Sequence, residues 1–145
     1  MRFSIAADEE TGVATLIAGV LAERGHEIVG WHGALSEQER DGWAWAAEGA
    51  ARDVAEGRAD QAVVACWTGT GASIAANKVA GVRAALCADP ETAAGARKWN
   101  DANVLALSLR TTSEALLGEI ADAWLAAEPS AAEDDRANIE HLDQI

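Results

Sequence analysis

Short apolar runs alternate along this chain with longer stretches whose apolar residues recur at helical spacing. Arg2–Ala7 places Phe3 and Ile5 on one face and predicts a first strand. After the polar turn Asp8–Gly12, Val13, Leu16, Ile17, Val20 and Leu21 predict a helix over Val13–Arg24, with Gly25 as its C-cap. His26–Gly30 predicts a second strand and Trp31–Arg40 a polar loop. Gly42–Glu56 is an Ala-rich helix carrying Trp43 and Trp45 and ended by Gly57. The β-branched pair Val63-Val64 marks Ala62–Cys66 as a buried strand. A turn at Trp67–Gly71 leads from it into a helix of small residues, Ala72–Lys78. The pattern then predicts strand Val82–Cys87, helix Pro90–Arg97, strand Asn103–Leu107 and helix Ser113–Ala127. Pro129 interrupts the chain before an acidic helix over Ala131–Leu142.

Strands that alternate with helices predict a parallel sheet covered on both faces. The expected fold is α/β and doubly wound, a Rossmann- or flavodoxin-like three-layer αβα sandwich of five parallel strands in the order 2-1-3-4-5. Residues 1–145 are expected to form a single domain, with 128–145 a C-terminal helical tail. In that topology ligands bind outside the carboxyl ends of the first and third strands. Asp8 and Cys66 terminate those two strands.

Composition narrows the partners. A net charge of −13 and a pI near 4.4 argue against nucleic acid and acidic membranes. They also oppose an anionic substrate, unless local Arg, Lys or backbone dipoles overcome the global field. Two cysteines, Cys66 and Cys87, make neither a disulfide framework nor a metal motif, and a cytoplasmic setting is expected. Neither a signal peptide nor a membrane-length apolar run is read, and no metal or cofactor is expected.

The chemistry concentrates in Gln61–Lys78. A strand, a Gly-containing turn and a helix start leave several backbone N–H groups in one concavity, which holds a phosphate or a developing oxyanion. Cys66 borders it. The bland role for Cys66 is a small buried hydrophobe; beside an anion-binding turn it is a candidate base or nucleophile, and helix N-termini favour thiolates. Cys87, inside a strand, is assigned the bland role. Gly69-Thr70-Gly71 is neither a Walker loop nor a dinucleotide fingerprint.

Taken whole, Cys66-Trp67-Thr68-Gly69-Thr70-Gly71-Ala72-Ser73-Ile74-Ala75-Ala76-Asn77-Lys78, followed by Gly81–Cys87 and Asn100-Asp101-Ala102-Asn103-Val104-Leu105-Ala106-Leu107, resembles the ribose-5-phosphate isomerase B / galactose-6-phosphate isomerase family. The resemblance implies aldose–ketose isomerisation through an enediolate. It makes Cys66 the base, gives the Thr68–Gly71 amides the enediolate oxygen, and puts Thr68 and Ser73 hydroxyls in support. It assigns Asp8 to ring opening, although Asp8 also suits a helix N-cap. Asn100 and Arg110 become substrate contacts, Arg110 for phosphate. It further implies a sugar or sugar phosphate as ligand, and a homodimer or dimer of dimers whose sites a second chain completes.

Several positions depart from the family pattern. The turn Asp8-Glu9-Glu10-Thr11-Gly12 is one residue longer and lacks the His that follows the acidic residue. Trp99 replaces the His before Asn100, and Trp67 a Gly. Trp43 stands where relatives have a Tyr. Glu133-Asp134-Asp135-Arg136 occupies the stretch where relatives carry an Arg-His pair and a further Arg. The expectation is an isomerase with an altered substrate, non-phosphorylated or more apolar, with Trp43, Trp67 and Trp99 bordering the site. The alternative is a non-catalytic binding or assembly subunit, in which the same rings close the pocket. Trp31, Trp45 and Trp124 are read as core or interface residues.

Overall fold

The computed structural model describes residues 1–145. Five parallel strands form one sheet: β1 (Arg2–Ala7), β2 (Glu27–Gly33), β3 (Gln61–Cys66), β4 (Ala84–Leu86) and β5 (Val104–Ser108). A 3₁₀ turn at Gly12–Leu16 leads into α1 (Ile17–Glu23). Helices α2 (Trp43–Ala55), α3 (Thr70–Asn77), α4 (Pro90–Asn100), α5 (Glu114–Ala126) and α6 (Glu133–Leu142) follow. The fold is the doubly wound sandwich that the alternation predicts.

The strand order is 2-1-3-5-4, which corrects the expected 2-1-3-4-5. β3 pairs along its length with β5, from Ala62 opposite Val104 to Cys66 opposite Ser108, and β4 joins only the outer side of β5. Burial explains the exchange. Every residue of β5 is buried, whereas the three of β4 are part-exposed or exposed. A strand buried along its whole length belongs inside a parallel sheet and a short, half-solvated one at its edge. β2 also runs three residues beyond expectation, through Trp31 and His32, because β1 continues to pair with it as far as Ala7 opposite Gly33. The segment expected as a loop from Trp31 therefore begins only after Gly33.

The two faces of the sheet carry different cores. One is bulky: Phe3, Ile5, Leu105, Leu107, Ile120 and Trp124 pack between the sheet and α1, α4 and α5. The Trp124 indole donates to Gln61 Oε1 at 2.7 Å, so its buried N–H is satisfied. The other is built on alanine, with Ala46, Ala50, Ala51, Ala72 and Ala76 against Val64, Cys66 and Ala106. Small side chains bring α2 and α3 close to the sheet. They thereby set the N-terminus of α3 beside Cys66.

One buried polar cluster ties β1, β2 and α2 together. The Asp53 carboxylate accepts from Ser4 Oγ, His32 Nε2 and Arg58 Nε, each at 2.7 Å. Burial alone would raise this carboxyl, but the three donors outweigh burial and hold it below the ordinary carboxylate range.

Candidate active site

β1 and β3 are neighbours, with Ala7 opposite Ala65. The next residue of each strand is Asp8 or Cys66, so the topology sets these two side by side at the carboxyl edge. Ser4 and Ala6 face the alanine-built layer, and strand alternation turns Asp8 the same way. Cys66, 5% exposed, belongs to that layer too. Burial pushes the Asp8 carboxyl above the ordinary range, its own backbone N–H pulls it back, and Glu9 and Asp41 push it further up. Its Oδ1 is buried without a hydrogen-bond partner. No side-chain cap is made by the residue at the start of either the 3₁₀ turn or α1.

The loop after Cys66 is clamped onto β5. Leu109 N–H donates to Cys66 O at 2.9 Å, and Arg110 N–H to Trp67 O at 3.0 Å. Ser108 Oγ donates to the same Trp67 carbonyl at 2.9 Å. Gly69 adopts φ 77°, and a Cβ there would lie 2.8 and 2.9 Å from the Leu107 carbonyl carbon and oxygen. Only glycine meets both conditions. The first backbone donor beyond the turn is Ser73, bonded to Gly69 O at 3.1 Å. The N–H groups of Thr68, Gly69, Thr70, Gly71 and Ala72 donate to no protein acceptor, a nest of free donors of the kind that can hold an anion. Thr68 Oγ1 and Thr70 Oγ1 bond to each other at 2.8 Å. Ser73 lies in the first turn of α3, half-buried.

Two aromatic residues border this nest. Trp43, at the start of α2, lies against Gly71, where a Cβ would meet its ring at 2.8 Å. Trp67 is 54% exposed. Arg110 is exposed and takes part in none of the ion pairs, unlike Arg2, Arg24 or Arg97. A free guanidinium therefore follows directly on the residues that clamp the loop.

Trp99 and Asn100 stand apart from Cys66 within one chain. They end α4, which runs back from the carboxyl end of β4, and β5 lies between β4 and β3. Trp99, half-exposed, packs on Gly95 in a groove of about 560 Å³ beside Ala85 and Leu86. Asn100 also borders a depression of about 640 Å³ with Asn77, Arg83 and Asp143. Arg136 sits on α6 behind the acidic first turn Glu133-Asp134-Asp135. Of the other tryptophans, Trp124 is core, whereas Trp31 and Trp45 are 46% and 51% exposed. Sequence reasoning overlooked Ser108 and Asp41. Ser108 carries a legible signal, a lone hydroxyl closing the apolar run Val104–Leu107 level with Cys66. Asp41 gives none, because only the loop's path brings it toward Asp8. Cys87 is buried, and burial together with the charge of Asp89 pushes its thiol up to about 12. No helix is long and apolar enough to cross a membrane.

Comparison with known proteins places this geometry among relatives. The profile of a family described as Ribose/Galactose Isomerase matches residues 4–142. Ribose-5-phosphate isomerase B of Escherichia coli is 42% identical over 112 residues, which cover 77% of this chain and 74% of that protein. D-erythrulose-4-phosphate isomerase of Pectobacterium atrosepticum is 45% identical over 78 residues, covering 54% of this chain and 51% of that protein. The crystal structure of ribose-5-phosphate isomerase B from Mycoplasma genitalium, solved with bound ribulose-5-phosphate, superposes with a TM-score of 0.85 at 28% identity. That match covers 99% of this chain and 93% of the other.

Proposed function

The chain belongs to the ribose/galactose isomerase family, and from that premise we propose that it interconverts an aldose phosphate and the corresponding ketose phosphate through an enediolate. The observation that carries this reading is the juxtaposition of Cys66 with five consecutive unpaired amides, Thr68–Ala72. As thiolate, Cys66 takes the proton from C2 of the open-chain aldose. The electron pair moves onto the carbonyl oxygen, and the nest holds the resulting oxyanion. The thiol then returns its proton to C1, and the hydroxyl proton passes between the two oxygens. Asp8, whose carboxyl is raised by burial, holds and releases a proton at the ring oxygen during opening. The N-termini of α2 and α3 and the free Arg110 supply the positive potential that a phosphate needs against a chain charge of −13. Cys66→Ala tests the assignment: turnover of ketose phosphates disappears while their binding persists, since the lost interaction belongs to the transition state. Loss of binding alone would reassign Cys66 to ligand contact.

The non-catalytic alternative needs the tryptophans to close the pocket. Trp67, which follows Cys66 directly and is half-exposed, favours the enzyme. Trp99 and Asn100, remote from Cys66 in one chain, fit a homodimer in which each chain completes the other's site. The half-exposed Trp43, Ile74 and Leu86 are apolar surface suited to such a contact. A second reading keeps the chemistry and changes the substrate to a neutral or more apolar sugar. The acidic first turn of α6 and Trp99 favour it, whereas the relatives' names speak only of sugar phosphates. Parallel turnover assays on ribose 5-phosphate and on unphosphorylated pentoses separate the two: a phosphate preference sinks the second reading.

A further inference from the structure

The Trp67 carbonyl is the most firmly held group in the loop. It accepts from Ser108 Oγ at 2.9 Å and from Arg110 N–H at 3.0 Å. That carbonyl and the Thr68 N–H belong to one planar trans peptide and point in opposite directions. Pinning Trp67 O against β5 therefore turns Thr68 N–H away from β5, toward the open side where Cys66 and Asp8 end their strands. The Thr68 amide meets no protein acceptor there. Ser108 is buried, 8% exposed, and lies level with Cys66 across the β3–β5 ladder. Water does not readily replace a hydroxyl so enclosed.

We propose that Ser108 is a positioning residue for the anion-binding nest, its hydroxyl fixing the Trp67–Thr68 peptide so that the Thr68 N–H meets the developing oxyanion. Ser108 does not touch the substrate and acts through the peptide plane. This role for Ser108 rests on the isomerase activity proposed above. Without the hydroxyl, Arg110 N–H alone holds the carbonyl, the peptide librates, and the amide spends less time aligned. Alignment matters most where charge develops, so the loss falls on the transition state more than on the bound substrate.

The test uses the full chain and three proteins: wild type, Ser108→Ala and Ser108→Thr. Steady-state kinetics on ketose phosphates give kcat and KM. Titration calorimetry with a phosphorylated sugar hydroxamate, whose vicinal oxygens mimic the enediolate, gives the affinity for the oxyanion form. Hydrogen exchange of the peptide spanning residues 66–72 reports the loop directly, independent of activity. Expected for Ser108→Ala is a fall in kcat of about 3- to 10-fold, the loss of one neutral hydrogen bond. Hydroxamate affinity should fall by a similar factor, KM should stay within about twofold, and exchange at the loop should quicken. Ser108→Thr, which keeps the hydroxyl, should restore kcat and affinity. Wild-type kcat, affinity and exchange in a folded Ser108→Ala would overturn the proposal, as would a loss of thermal stability with kcat and affinity intact. A wild type that neither turns over nor binds the hydroxamate would instead remove the isomerase reading and this proposal with it.

Discussion

Replacing Gly69 by Ala tests how tightly the nest is built. Gly69 sits at φ 77°, a left-handed conformation that costs an L-residue roughly 1–2 kcal/mol. The new methyl would lie 2.5 Å from Leu86 Cδ1 and 2.8 and 2.9 Å from the Leu107 carbonyl carbon and oxygen. Leu86 has side-chain freedom to move aside. Leu107 is backbone of the fully buried strand β5, and it must shift or push the loop outward. Such overpacking costs about 1–3 kcal/mol, for a total of about 2–5 kcal/mol. Gly57→Ala is the internal control. Its φ is 75° and nothing lies within 4 Å of the added methyl, so it carries the conformational cost alone. Urea unfolding followed by tryptophan fluorescence gives both values, and their difference isolates the contact with β5. Gly69→Ala should exceed Gly57→Ala by about 1–3 kcal/mol and should also lower kcat, because the displaced loop carries the amides. Equal stabilities for the two variants, with kcat unchanged, would refute the clamped loop.

Three further outcomes follow from the ionisable groups. Asp8→Asn should lower kcat by about 10²- to 10⁴-fold yet raise the melting temperature at neutral pH: the folded chain holds the Asp8 proton more tightly than the unfolded one, so ionisation costs stability as pH rises. A variant less stable than wild type at pH 7 contradicts this. For Asp53 the sign reverses. Its carboxyl is held below its unfolded value, so its contribution is complete above about pH 4 and drains as pH falls through the depressed value. Asp53→Ala should cost about 3 kcal/mol or more at pH 7 and progressively less in acid, measured by urea unfolding at several pH values; a gap independent of pH would contradict the ion cluster. Iodoacetamide near neutral pH should label Cys66 and spare Cys87, whose thiol is pushed up to about 12, with a ketose phosphate slowing the labelling. Mass spectrometry locating the label on Cys87 would reverse the assignment.

The placement of Asp8 and Cys66 was legible because it needs only strand ends and the rule that α/β sheets bind at their carboxyl edge. The free amides of Thr68–Gly71 were legible for a similar reason: a Gly-containing turn that opens a helix leaves its donors unpaired. The order of β4 and β5 was not, since Ala84-Ala85-Leu86 and Val104–Ser108 are both short apolar runs, and which one is buried on both faces depends on the assembled layers. The extension of β2 was hidden by Trp31 and His32, which look loop-like until Asp53 receives His32 and β1 supplies the ladder. Tryptophan exposure was equally unreadable. The same residue type fills the core at Trp124 and stands half in solvent at Trp67, according to the neighbours the fold assigns.

Proton exchange between substrate carbon and solvent reports on the enediolate at Cys66. Ketose phosphates of four to six carbons are incubated with the protein in D2O and followed by proton NMR. Wild type should replace one C1 proton of at least one of them by deuterium, as an enediolate formed at Cys66 requires, and Cys66→Ala should replace none. Absence of deuterium from every ketose phosphate, or incorporation that survives Cys66→Ala unchanged, would contradict the account.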